Sequence, residues 1–126
     1  MHQSPTISDA EWHVMHVLWE QSPRTAVDVV DALAPKHDWH DRTIKTMLNR
    51  LVKKGALSFA KEGKRYLYEP AISRDQAVRD QVHSLRDRVF EGAAAPMLTY
   101  LVKQKNLSKD ELTELKRILD EQGANS

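Results

Sequence analysis

Residues 41 to 55, DRTIKTMLNRLVKKG, concentrate the side chains best suited to chemistry on a polyanion. With successive residues about 100° apart and Ile44 as origin, Met47, Leu48, Leu51 and Val52 fall within about 80° of it, giving one apolar face. The opposite arc carries Arg42, Thr43, Lys45, Thr46, Asn49, Arg50 and Lys53, with no carboxylate among them. Arg and Lys neutralise phosphates or bind guanine edges, Asn pairs with adenine, and a Thr methyl packs on the thymine methyl. An ordinary solvated face mixes both signs of charge. This stretch therefore reads as a recognition helix for double-stranded DNA, with Asp41 expected as its N-cap and Gly55 as the left-handed residue that stops it.

The elements that must position this helix lie on either side. Upstream, Ser8 with Glu11 three residues on forms a capping box, Ile7 can staple against Trp12, and a helix is predicted to Glu20. Its stripe of Trp12, Met15, Leu18 and Trp19, with Val14 beside it, has core spacing. Ser22-Pro23-Arg24 breaks that pattern, Thr25 caps a second helix from Ala26 to Ala34, and Pro35 is expected to end it. Trp39, just ahead of the third helix, can pack down or touch a phosphate, and packing is favoured. Downstream, Leu57 to Lys61 and Arg65 to Pro70 read as two strands around a Gly63 turn, a hairpin whose tip carries Lys61, Lys64 and Arg65. Tyr66 and Tyr68 alternate with Leu67, so one set should face the domain and the other water.

Charge follows the same map. Residues 1–40 carry 2 cations and 6 anions, residues 41–65 carry 8 and 2, and residues 66–126 carry 9 and 10, so a net +1 conceals a local +6. With 126 residues, 40% hydrophobic and 29% charged, the chain has the composition of one folded domain plus an appendage. Zero cysteines exclude disulfides, thiol nucleophiles and thiolate metal sites. No apolar run is long enough to span a bilayer, and the first twelve residues lack a basic-then-apolar leader, so a cytoplasmic protein is expected.

Three helices followed by a basic two-stranded hairpin is the order of a winged helix-turn-helix, in which the third helix enters the major groove and the wing follows the backbone. The remainder reads as helical. Ser73 with Gln76 and Ser108 with Glu111 are capping signatures, a further helix is expected from near Pro96, and the last is expected over Lys109 to Glu121. Val78, Val82, Leu85 and Val89 make a narrow seam, and Met97, Leu98, Leu101, Leu112, Leu115, Ile118 and Leu119 continue the apolar surface. So few residues could hardly bury that surface alone, so pairing with a second copy is expected, a helical cap folded back on its own winged helix being the competing arrangement. The predicted fold is mainly α with a small β-hairpin: a winged-helix DNA-binding domain over residues 1–72 and a three-helix dimerisation region over residues 73–126.

The stretches ISDAEWHVMHVLW, TIKTMLNRLVKKGAL, GKRYLYEP and NLSKDELTELKRIL together resemble the penicillinase-repressor type of transcriptional regulator (BlaI/MecI/CopY), over nearly the whole chain. That resemblance implies a homodimeric repressor that binds an operator through its winged helix. It points to Arg42, Thr43, Lys45, Thr46, Arg50 and the wing's Arg65 as DNA contacts, and to Val82 through Val89, Met97 through Val102 and Leu112 through Leu119 as dimer helices. Antibiotic-sensing members of the family are cleaved at an Asn-Phe bond, where this chain has Tyr100 and Leu101. Copper-responsive members use a C-terminal cysteine cluster, which this chain lacks.

Phosphate contacts are expected from Lys53, Lys54, Lys61 and Lys64. The pairs His13/His16 and His37/His40 raise a metal reading, but neither has a third ligand at metal spacing, so no metal or other cofactor is expected. No phosphate loop or nucleophile elbow supports an enzyme. The rival is a dimeric winged helix that serves as a protein-interaction module without reading DNA, for which the recognition face should be apolar or mixed in sign.

Overall fold

Reciprocal caps set the first two helices. In the computed structural model, which describes residues 5–104 and 107–124, the Ser8 hydroxyl accepts the Glu11 amide (3.2 Å) and the Glu11 carboxylate accepts the Ser8 amide (2.9 Å), opening α1 (Asp9–Glu20). The first four residues of the stretch screened for a leader, and Asn106 of the C-terminal motif, lie outside the described residues. Thr25 and Asp28 repeat the arrangement at the start of α2 (Ala26–His37), and the Thr25 backbone and hydroxyl bonds hold the Asp28 carboxyl below its usual range.

Pro35 does not end α2 at Ala34. It sits in the last turn, where it withholds only one donor and the residue it leaves short, Asp31, is exposed to water. Closure falls instead to Asp38, left-handed at φ 53°, whose amide donates to the Ala34 carbonyl.

α3 (Asp41–Lys54) lays Ile44, Met47, Leu48 and Leu51 into a core shared with Val14, Met15 and Leu18 of α1 and Val29 and Leu33 of α2. Gly55, at φ 84°, supplies the left-handed stop, and the Ala56 amide bonds back to the Leu51 carbonyl at 2.9 Å. β1 (Leu57–Glu62) and β2 (Arg65–Pro70) pair antiparallel, with Phe59 opposite Tyr68 and Glu62 opposite Arg65 across the Gly63-Lys64 turn. Arg24 adds a one-residue bridge to β2, exchanging backbone bonds of 3.0 and 2.8 Å with Tyr68, so the segment read as a breaker also lies beside the wing as a one-residue third strand. The tyrosines do not sort by alternation. Tyr68 is buried, whereas Tyr66 on the same face is 45% exposed and meets Phe59 edge-on at 4.9 Å, because the hairpin runs out past the domain.

α4 (Arg74–Val89) opens with the Ser73 hydroxyl accepting the Gln76 amide at 3.0 Å, but the Gln76 side chain turns forward to Asp80, so the expected reciprocal cap is half made. Ala77 is buried in the winged-helix core, and the Trp19 indole donates to the Ile72 carbonyl at 3.0 Å. The chain divides into compact units Met1–Gln81 and Val82–Ser126. α5 (Ala94–Lys103) starts two residues before Pro96, whose missing amide costs nothing in a first turn. α6 (Lys109–Ala124), held by a full Ser108–Glu111 capping box, outlasts the expected end at Glu121.

Candidate nucleic-acid interface

The recognition helix is capped by His40, not by Asp41, which is its first helical residue. The His40 ring nitrogen Nδ1 accepts the Arg42 amide at 3.1 Å, and the Asp41 carboxylate lies 2.8 Å from the same atom. With His40 as the cap, Asp41 stands in the first turn, where its charge suits the helix dipole, and its second oxygen lies 4.0 Å from Lys45.

Burial of the Ile44 face turns Arg42, Thr43, Lys45, Thr46, Asn49, Arg50 and Lys53 to water, and all seven are exposed. Among the described residues, the side chains of Arg42, Asn49, Arg50 and Lys53 have no hydrogen-bond or ion-pair partner, as is true of Lys61 and Lys64 in the wing. The Thr46 hydroxyl donates to the Arg42 carbonyl at 2.9 Å. That bond occupies the hydroxyl and leaves the methyl, the part of threonine that recognises a thymine methyl, uncommitted. Arg65 is loosely shared with Glu62 at 3.3 Å, both well exposed, an arrangement of little stabilising value that a phosphate can displace.

Lys54 differs from the other cations of α3 in pairing with a buried carboxylate. Its ammonium lies 2.5 Å from Oε1 of Glu11, a carboxylate that is 1% exposed, while the lysine's own side chain stays 33% exposed, so only its charged end is engaged. Burial acts to raise the Glu11 carboxyl, but the Lys54 hydrogen bond and the Ser8 bonds outweigh it and hold the group below its ordinary range. The remaining cations keep one sign on the helix face, where they supply phosphate neutralisation and base-edge donors.

The histidines regroup across helices. His13 pairs with His37 (ring centroids 4.3 Å apart), and His37 stacks on Trp39 at 4.3 Å, so Trp39 packs as expected and the sequence-adjacent histidines do not form the pairs their spacing suggested. Among the described residues, no three His, Asp or Glu side chains converge as metal ligands.

Of the residues assigned to pairing, Val78, Val82, Leu85, Val89, Leu98, Leu101, Ile118 and Leu119 are exposed, and Met97, Leu112 and Leu115 are half-buried. No side chain of α5 or α6 is fully buried. Between them runs an open groove of 490 Å³ walled by Leu98, Leu101, Val102, Leu107, Leu115 and Ile118, with Asp110, Glu111 and Glu114 on its rim.

Three helices, a bridged hairpin and a row of partnerless cations along the third helix define a winged-helix DNA-binding regulator. The model of the penicillinase repressor family matches residues 7–121. The chain is 38% identical over 121 residues to the penicillinase repressor of Bacillus licheniformis, covering 96% of this chain and 94% of that one. It is 29% identical over 114 residues to the methicillin resistance regulatory protein MecI of Staphylococcus aureus, covering 90% and 93%. The monomeric form of Bacillus licheniformis BlaI, solved in complex with the blaP half-operator, is 43% identical with a TM-score of 0.53 over 60% of this chain and 93% of that one. MarR from E. coli, 21% identical with a TM-score of 0.53 over 91% of this chain and 76% of that one, shares the fold. The chain belongs to the penicillinase repressor family.

Proposed function

We propose that this chain, a DNA-binding transcriptional repressor of that family, acts as a homodimer on a pseudo-palindromic operator. The observation that carries the reading is the exposed arc of α3, whose Arg42, Asn49, Arg50 and Lys53 have no protein partner among the described residues while the opposite face is locked in the core. Arg42, Thr43, Lys45, Thr46, Asn49 and Arg50 select sequence in the major groove, and Lys53, Lys61, Lys64 and Arg65 hold phosphates. The apolar faces of α4, α5 and α6 support pairing with a second copy, because no single chain buries them. Two-fold symmetry would then place half-sites about one helical turn apart, or a multiple of it.

The mechanism is steric: an operator-bound dimer excludes polymerase from the promoter. Release follows loss of dimerisation, since one winged helix alone forfeits the contacts of the second half-site. Tyr100-Leu101 in place of an Asn-Phe bond argues against release by cleavage there. Among the described residues no helix is long and apolar enough to cross a membrane, in keeping with action on DNA in the cytoplasm.

The test is binding of the purified chain to DNA upstream of its own gene against a scrambled duplex, over a salt series, with mass measured in the same buffer. A two-to-one, sequence-dependent complex that weakens steeply with salt is the expected result. Sequence-blind binding would transfer the reading to a protein-interaction module.

A further inference from the structure

Glu11 is the only charged residue buried among the described residues, and it sits in the first turn of α1, 43 residues from the lysine it meets. Its Oε1 accepts both the Ser8 amide (2.9 Å) and the Lys54 ammonium (2.5 Å), while Oε2 is buried without a hydrogen-bond partner. A carboxylate so placed depends on its cation, because half of its acceptor capacity is already unmet. Lys54 is the last residue of α3, next to the left-handed Gly55, and its ammonium also lies where the carbonyl end of the helix favours positive charge.

We propose that Glu11 and Lys54 are a positioning pair that fixes the tilt of the recognition helix on α1, and that Lys54 is not a phosphate contact. The inference rests on the reading of α3 as the DNA-reading element. Fourteen residues of helix span about 21 Å, so a tilt of only about 3° at the Lys54 end moves the far end by about 1 Å. Arg42 and Thr43 stand at that far end, and displacement on this scale spoils hydrogen bonds to base edges, whose donor–acceptor range is a few tenths of an ångström. Contacts to phosphates through long, flexible lysines tolerate it. The pair therefore governs discrimination between sequences more than overall attraction to DNA.

The test compares Lys54→Met, Glu11→Gln, the double variant, Lys54→Arg and Lys53→Met in the full-length chain, each bound to upstream DNA and to a random duplex over a salt series. Lys54→Met and Glu11→Gln should each lose about 10- to 100-fold on upstream DNA, with random-duplex affinity and the salt slope unchanged. The double variant should be no worse than the weaker single one, and Lys54→Arg should restore most of the discrimination. Lys53→Met should instead weaken both duplexes and reduce the slope by about one. A Lys54→Met variant that behaves like Lys53→Met, or that binds as wild type does, overturns the assignment. Acetylation footprinting of the wild-type chain needs no variant to fold: Lys54 should react slowly with or without DNA, whereas Lys53, Lys61 and Lys64 should be protected by it. A Lys54 that reacts freely and becomes protected by DNA also overturns the assignment. A wild-type chain with no preference for upstream DNA over the tested duplex would defeat the repressor reading and this one together, while intact wild-type discrimination with unaffected variants defeats this one alone.

Discussion

The two units of this chain, Met1–Gln81 and Val82–Ser126, have similar apolar content and opposite fates for it. In the first, Val14, Met15, Leu18, Val29, Ile44, Leu48 and Leu51 are fully enclosed around three helices and a hairpin. In the second, Val82, Leu85, Val89, Leu101 and Leu119 remain between 38% and 56% exposed. The first unit thus has a hydrophobic interior that one chain completes, and the second has well-capped helices whose apolar faces still meet water. Capping and burial are separate contributions: Ser108 and Glu111 satisfy the start of α6 as fully as Ser8 and Glu11 satisfy α1, yet only α1 is enclosed.

That contrast can be broken most sharply at the exposed seam. Leu85→Asp should leave the first unit folded but give monomers in sedimentation, and operator affinity should fall by about 100- to 10,000-fold as the second half-site is lost. A dimeric Leu85→Asp variant would remove the seam from the interface. Next in size, Leu18→Ala should destabilise the first unit by about 3 kcal/mol in denaturant unfolding, the range for an enclosed leucine, whereas the half-exposed Leu119→Ala should alter that unit's transition by less than about 0.5 kcal/mol. Comparable losses from both would show that the units unfold as one.

On the DNA side, Arg50→Ala should weaken specific binding by about 1 to 3 kcal/mol if its guanidinium reads a base. Equal weakening on random DNA would reduce Arg50 to a phosphate contact. The last prediction concerns the acid stability that Glu11 confers. Because its carboxyl is held below the ordinary value of 4.5, its contribution to stability is complete above that value and is lost as pH falls through the lower folded value. Acid unfolding of the wild-type chain should therefore begin near that range and be less steep in Glu11→Gln, as followed by circular dichroism.

Much of the first unit was legible because helical periodicity and capping chemistry are local. The Ile44, Met47, Leu48 and Leu51 stripe, the Ser8 and Thr25 caps, the Gly55 stop and the Gly63 turn of the hairpin all depend on residues within a few positions of one another. What escaped was contact between distant segments. Lys54 lies on the edge of the apolar stripe, about 80° from Ile44, and nothing within α3 says that a buried carboxylate from α1 waits there. A glutamate at a capping position amid the core spacing of α1 was the available signal. The Arg24 bridge to Tyr68 and the His13–His37 pairing are likewise tertiary, as is the burial of Ala77 that carries the first unit into α4. His40 displaced Asp41 as cap because sequence preference ranks side chains by type and does not see which one reaches the amide. The residues of the α3 arc are exposed as the wheel drew them, and Lys54 at its edge is set apart by its pairing with Glu11.

The single rung that Arg24 adds to the wing also bears on self-association. A two-stranded ribbon offers two free backbone edges to any extended chain, but here the Arg24 amide and carbonyl occupy those of Tyr68 on the β2 side, and Pro70 has no amide to offer further along. The outer edge of β1 runs past Lys61 and Glu62, whose charges oppose stacking of like chains. A hairpin held out from its domain is thus kept from recruiting strands, and the proposed pairing with a second copy rests on the helices of the second unit alone.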